Sequence, residues 1–341
     1  MTGSTASIYY PVIRSGSGAD VYFERLARGV SACGWEANLH FLPHVAEIVP
    51  YTLLRRFLQV KRGSDIIHTK AEYGWMYAGR GKPLVVTLGH SHLDPQYDKY
   101  KSRVKRLYHR HKWGRSIARS FRAADRIVAV SRFVARQIRE HYGREDARVI
   151  YNGVDVDFFR PASTERPPIT RRPIRLLFIG NLTRRKGFPL LAPILERLGQ
   201  GYVLEYTTGL RTRGATPPHP AMVPLGRLSR EELLEAYQRC DILLFPTRLE
   251  GFGYPAAEAM ACGKPVVCTD YSSLPELVTQ GQGGFLCPLD DVNAFAQAIH
   301  RLAADPNLRA RMGAYNRARA EAEFSLQVCV QNYLSLYREL L

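Results

Sequence analysis

Short apolar runs alternate with longer amphipathic stretches along the whole chain. The runs at 7–12, 36–42, 65–68, 83–88 and 126–130 have the length and residue types of strands, buried ones where they are continuously apolar. Helical spacing is clearest from Asp20 to about Ala32, where Val21, Leu26 and Val30 recur before Gly34 closes the segment. It recurs at 51–60, with Leu53, Leu54, Phe57 and Leu58 on one face, and from Ser131, an N-cap candidate, to about Tyr142. A helix running through Tyr77 is expected after the third run. Residues 161–173 carry Pro161, Pro167, Pro168 and Pro173 and have linker composition. Beyond them the rhythm restarts. Strands are expected at 174–179, 202–206, 222–225, 241–245, 265–268 and 284–287. Helices are expected from the Ser229/Glu232 capping box to Arg239, at 291–303 and at 324–341. Strands alternating with helices indicate an α/β chain built on parallel sheets. The restart, together with a length of 341 residues, indicates two domains, 1–165 and 166–324.

One stretch organises the rest. Residues 241–245 form an apolar run, followed by a turn with two glycines, Gly251 and Gly253, around Phe252, then Pro255 at a helix start and Gly263 at its end. A strand, a glycine turn and a helix N-terminus make an anion site, because unpaired N–H groups and the helix dipole point outward. Glu250 stands before the turn, and Glu258 is expected in the first helical turn. The combination suits a phosphorylated sugar, with amides for phosphates and carboxylates for hydroxyls. Upstream, Arg184, Arg185 and Lys186 follow the strand at 174–179, where a basic cluster suits a diphosphate. Gly18 lies in the glycine loop between the first strand and the first helix, and His90 and His92 follow the fourth strand, at the carboxyl ends where ligands bind in such sheets.

Composition narrows the class. With 45% hydrophobic residues the chain has enough apolar material for packed cores. No run reaches the ~18 apolar residues of a membrane span. Residues 1–8 lack the charged region and apolar core of a signal peptide. The six cysteines show no C-x-x-C pair and no metal spacing, so buried thiols in a reducing, cytoplasmic setting are expected, with no metal and no cofactor.

Net charge is +17, concentrated early: residues 1–160 hold 27 Lys and Arg against 14 Asp and Glu. The most basic segment, 97–122, has apolar residues Tyr100, Val104, Leu107, Ile117 and Phe121 near helical spacing, with Lys99, Lys101, Arg103, Lys105, Arg106 and Arg110 among the residues between. Such a segment fits an anionic membrane surface, a nucleic acid, or a solvated face of an α/β domain. No nucleic-acid-binding motif accompanies it.

The motif E-G-F-G-x-P-x-x-E-A-M-A-x-G-x-P-V, carried by Glu250 to Val266, resembles the donor-sugar signature of the retaining glycosyltransferases of family 4, which have the GT-B fold. The resemblance extends to 124–131, to 149–155, to Gly180 through Gly187, where the usual arginine is Asn181, and to 272–276, where Ser273 replaces a usual glycine. It implies two Rossmann-like domains facing across a cleft, with the last helix, about 325–341, packing back on the first. It implies a nucleotide-sugar donor and no metal. Lys186 with Arg184 or Arg185 would hold the diphosphate, assisted by the amides of Gly251, Phe252 and Gly253. Glu258 would accept from the ribose and Glu250 from the sugar. His90, with His92 as the second choice, would reach the sugar, and the loop of Gly18 would lie near the donor phosphates. The implied acceptor is a glycan or a lipid-linked molecule, in cell-surface polysaccharide or glycolipid synthesis. A same-fold phosphorylase or epimerase, and a membrane- or nucleic-acid-binding protein with an inactive site, are the rival readings.

Overall fold

The apolar runs assemble into two parallel sheets, one in each of two compact units. The computed structural model describes residues 6–14, 18–47, 58, 60–163, 173–208 and 217–341. The expected helix at 51–60 and most of the proline-rich linker lie outside the described residues.

The first unit comprises Met1–Gly153 and Leu326–Leu341. Its strands are β1 (Ser7–Ile13), β2 (Glu36–Leu42), β3 (Ile66–Lys70), β4 (Leu84–Leu88), β5 (Arg126–Ala129) and β6 (Arg148–Val149), in the order β2-β1-β3-β4-β5-β6. The strand order reverses between β1 and β3, which makes their carboxyl ends the crevice of this sheet. Helix α1 (Gly18–Ala32) follows β1. Further along come α2 (Pro95–Asp98), α3 (Arg103–Tyr108), α4 (Arg115–Ala123) and α5 (Arg132–Tyr142). Ser131 caps α5 by accepting from the Val134 amide, and Gly143 closes it with a left-handed φ of 64°.

The second unit, Val154–Ser325, contains β7 (Ile174–Phe178), α6 (Leu191–Leu198), β8 (Tyr202–Thr207), β9 (Met222–Gly226), α7 (Arg230–Arg239), β10 (Ile242–Phe245), α8 (Tyr254–Ala261), β11 (Val266–Thr269), α9 (Leu274–Leu277), β12 (Gly284–Cys287), α10 (Val292–Ala304) and α11 (Pro306–Glu323). Its strand order is β12-β11-β10-β7-β8-β9. Counted from β7, that is the 3-2-1-4-5-6 order of a doubly wound nucleotide-binding sheet, with the reversal between β7 and β10. The predicted capping box is formed: Ser229 Oγ accepts from the Glu232 amide, and the Glu232 carboxylate accepts from the Ser229 amide at 2.7 Å.

The chain ends on α12 (Leu326–Arg338), which belongs to the first unit. It crosses α1 closely: a Cβ on Gly29 would stand 2.4 Å from Val330 Cγ2. Its inner face forms a polar cluster within the core. His68 Nδ1 lies 2.6 Å from Tyr337 Oη, His68 Nε2 lies 2.7 Å from Thr87 Oγ1, and Tyr10 Oη lies 3.1 Å from Tyr337 Oη.

Three expectations need correction. The basic segment is not one amphipathic helix. It breaks into α2, α3, a π-helical stretch (His109–Gly114) and α4. Ile117 and Phe121 are buried as expected, but Val104 is 79% and Leu107 59% exposed. Lys101 is no surface cation; it is buried, donating to the His92 carbonyl at 2.6 Å and to Asp98 at 2.7 Å. The helix expected through Tyr77 is one short 3-10 turn, Gly74–Tyr77. An 18-residue helix, α11, was not anticipated. Its buried side is Arg309, Met312, Gly313, Asn316 and Ala320, which carries almost no apolar periodicity. The helix is held instead by close backbone contact and polar bonds: Gly313 sits against the Gly263 carbonyl, and Asn316 Nδ2 donates to the carbonyls of Lys264 and Gly283 at 2.8 and 2.6 Å.

Candidate active site

The second-unit residues converge where the strand order reverses. The segment after β7 carries Gly180, Arg184, Arg185 and Lys186; the segment after β10 carries Thr247 to Gly253. These two segments are laced together. The Arg185 carbonyl accepts from the Arg248 amide at 2.8 Å and from Thr247 Oγ1 at 3.2 Å, and Arg185 Nη1 donates to the Leu249 carbonyl at 2.9 Å. Arg248, itself buried, donates to Asp290 at 2.6 Å and reaches the Arg184 carbonyl. Gly187 lets the segments meet. Its φ is 77°, and a Cβ there would lie 1.9 Å from the Pro246 carbonyl oxygen.

At the centre Lys186 Nζ lies 2.5 Å from Glu250 Oε1, with both side chains nearly buried. Arg185 Nη1 stands 3.6 Å from the same oxygen, and Thr247 Oγ1 donates to it at 2.8 Å. Burial works against ionisation of Glu250, yet the charges of Lys186 and Arg185 outweigh it and hold the carboxyl below its ordinary range. The group is therefore a carboxylate at neutral pH, and it is not the solvated loop residue that a glycine turn alone would allow. Between the two arginines considered, Arg185 is the one at the carboxylate; Arg184 is exposed.

The turn beyond Glu250 is tied down from below. The Glu250 amide donates to Ser272 Oγ at 3.2 Å, and Ser273 Oγ donates to the Phe252 carbonyl at 2.7 Å. The serine at the usual glycine position thus has a structural partner. Gly251 lies in the same turn, and Phe252 is buried against Tyr254 and Phe324. Gly253 takes φ 104° and starts α8, with Pro255 in its first turn. The helix ends in a Schellman motif: the amides of Gly263 and Lys264 donate to the carbonyls of Met260 and Ala259, both at 2.9 Å. Glu258 is not in the first turn of α8, because the helix begins at Tyr254. It is buried one turn deeper and accepts from Tyr237 Oη at 3.1 Å. Thr247, Tyr237, Ser272 and Arg248 escaped the sequence reading. Only their partners, distant along the chain in most cases, reveal what they do.

Gly18, His90 and His92 belong to the first unit. Gly18 starts α1, whose Asp20 lies 3.7 Å from Lys70 at the end of β3. His90 and His92 follow β4 with ring centroids 4.5 Å apart. His92 lies 3.7 Å from Glu72 and stacks on Trp113 at 5.9 Å. Burial pushes the Glu72 carboxyl up, but the hydrogen bond from His92 and the nearby cationic groups bring it below its ordinary value. Among the described residues, no group of three or more His, Cys, Asp or Glu side chains is placed to hold a metal ion, and no helix is long and apolar enough to cross a membrane.

Paired parallel sheets, with a buried cation–carboxylate site at a strand-order reversal, define the class as a GT-B glycosyltransferase fold. The comparisons agree. A sucrose-phosphate synthase from Thermosynechococcus elongatus superposes with a TM-score of 0.81 at 20% identity, over 98% of this chain and 99% of that one. Anabaena HepE, solved in complex with UDP and glucose, gives 0.77 at 17% identity, over 98% and 100%. The family model for Glycosyltransferase Family 4 matches residues 27–158, and that for Glycosyl transferases group 1 matches 222–319. The chain belongs to the group 1, family 4 glycosyltransferases. A D-inositol 3-phosphate glycosyltransferase of Streptomyces bingchenggensis is 31% identical over 217 residues, which is 56% of this chain and 48% of that protein. The chain spans about half the length of the curated relatives it matches.

Proposed function

We propose that the protein is a retaining glycosyltransferase that moves a sugar from a nucleotide-diphosphate donor to a glycan or lipid-linked acceptor. The observation that carries this reading is the buried Lys186–Glu250 pair with Arg185 beside it, at the strand-order reversal of the second sheet. A donor diphosphate brings more negative charge than one carboxylate and would draw Lys186 and Arg185 to itself. That exchange frees Glu250, already ionised, to accept from a sugar hydroxyl. As the glycosidic bond breaks, the two cations stabilise the charge growing on the leaving diphosphate, assisted by the amides of Gly251 to Gly253. Glu258 accepts from the ribose hydroxyls, and His90 contacts the sugar. Configuration is retained through attack on the face the leaving group departs from, with the phosphate taking the acceptor's proton, and no metal takes part. HepE, solved with UDP-glucose, makes UDP-sugars the first donors to try.

A thermal-shift panel of UDP-, GDP- and ADP-sugars against wild type and Glu258→Ala tests the donor site. One nucleotide class should raise the wild-type melting temperature and lose its effect in the variant. No shift from any nucleotide would overturn the reading.

The exposed Val104, Leu107 and Tyr108, at 79%, 59% and 48%, lie among arginines and favour peripheral placement at an anionic, cytoplasm-facing membrane surface. That placement suits a lipid-linked acceptor and a role in cell-surface polysaccharide or glycolipid synthesis. Sedimentation with anionic vesicles should fall as salt rises; binding indifferent to both salt and lipid charge would sink it.

A further inference from the structure

The first unit contains a cavity of about 630 Å³, well inside the ~300–1,000 Å³ typical of small-molecule sites. Arg103, Arg106 and Arg110 all line it; the first two are three residues apart on one face of α3, and the third follows in the π-helical stretch. His92, Asp98 and His141 add polar groups, and Leu93, Pro95 and Leu107 supply the apolar part of the lining. The cationic excess is larger than this list suggests. Asp98 is the sole carboxylate among the lining residues, and Lys101 Nζ already matches it at 2.7 Å. The three arginines are exposed and, among the described residues, none of their guanidinium groups has an ion-pair or hydrogen-bond partner; His141 Nε2 is buried without one. Among the described residues several other arginines are paired: Arg144 with Asp146, Arg239 with Glu205, Arg317 with Glu321. Arg103 and Arg106 lie on α3, and Arg110 lies in the π-helical stretch that follows at His109, a conformation uncommon in ordinary helices and frequent at functional sites.

We propose that this cavity binds a phosphate group borne by the acceptor. The inference rests on the glycosyltransferase reading and deepens it, naming a phosphorylated acceptor. Three planar forks lining one cavity suit the three oxygens of a terminal phosphate better than a neutral glycan hydroxyl, because each charge-assisted pair forms two parallel hydrogen bonds. The phosphate can come from a soluble sugar or polyol phosphate, or from a lipid headgroup.

The test is calorimetric titration of glycerol 3-phosphate, with glycerol as the control, into wild type and into Arg103→Gln/Arg106→Gln/Arg110→Gln. Co-sedimentation with phosphatidylcholine vesicles, with and without phosphatidic acid, runs in parallel. Saturable binding of glycerol 3-phosphate, weakened by tenfold or more in the variant, supports the proposal with a soluble source; loss of one good guanidinium contact alone is worth about tenfold. Binding only to phosphatidic acid vesicles, lost in the glutamine variant but kept when the three arginines are retained and Lys99 and Lys112 are neutralised instead, supports a lipid source. If neither probe binds, or both bind the glutamine variant as tightly as wild type, the proposal is overturned. UDP thermal shift on the same samples reads the second unit's site and also reports that the variant is folded. A retained UDP shift with no phosphate binding fails this inference alone; phosphate binding without any nucleotide shift fails the glycosyltransferase reading and leaves an anion site.

Discussion

Lys186 and Glu250, 64 residues apart in the chain, meet at 2.5 Å in a site from which water is largely excluded. Removing one partner leaves the other charge buried. Lys186→Ala is expected to cost about 3 kcal/mol of stability, moderated by Arg185 at 3.6 Å, and to lower turnover by roughly 10²–10³. Urea midpoints and initial rates read the two effects separately; a variant as stable as wild type would show that the pair contributes nothing to the fold. The sign of the pH effect follows from Glu250, whose folded pKa lies below the unfolded 4.5. Its contribution is complete above pH 4.5 and is lost as pH falls through the folded value.

Gly187 and Gly199 separate backbone strain from collision. Both have positive φ, 77° and 71°, but an added Cβ meets the Pro246 carbonyl at 1.9 Å in the first case and open space in the second. Gly199→Ala should cost about 1–3 kcal/mol, from conformation alone, because φ 71° with ψ −149° is backbone that side-chain-bearing residues rarely adopt. Gly187→Ala should cost clearly more and also weaken donor binding, because the two site segments are forced apart. Melting temperatures of the pair decide it; equal losses would contradict the steric argument.

His68 is fully buried between Tyr337 and Thr87, and burial lowers its pKa from 6.5 to about 3. The ring stays neutral in the folded protein at pH 5, while the unfolded chain takes up a proton. Stability should therefore decline by about 1.4 kcal/mol per pH unit from this group as pH drops from 6.5 towards 3. NMR of the ring should show no titration between pH 8 and 5. Tyr337→Phe, which takes hydrogen bonds from both His68 and Tyr10, should cost about 1–3 kcal/mol.

Ser273 holds the turn of Glu250 and Phe252 through its hydroxyl. Ser273→Ala should lower stability by about 1 kcal/mol and raise the donor KM more than it lowers kcat, since the turn loosens while Lys186 and Glu250 remain. A variant with wild-type KM would show that the turn is held by its glycines alone.

Much of this was readable along the chain. The strands of both sheets apart from the two-residue β6 follow from short runs of strand-forming residues, and the segment from Ile242 to Val266 announces itself because strand, glycine turn and capped helix are all encoded by near neighbours. The basic segment misled because helical spacing at Val104 and Leu107 implies burial only if something packs there, and they are exposed. Helix α11 was missed because glycine, asparagine and arginine occupy the places where apolar residues would mark a buried face.

By itself the sequence determined where elements begin and end, and which residue types stand at each strand's carboxyl end; such features depend on contacts a few residues apart. Tertiary structure alone decided that β7 lies beside β10, and hence that Arg185 rather than Arg184 meets Glu250, that Tyr237 meets Glu258 and that Ser273 replaces a glycine with a hydrogen bond. Those pairings depend on strand order. Strand order is set by burying all the helices and sheet faces at once, and no local stretch of residues records it.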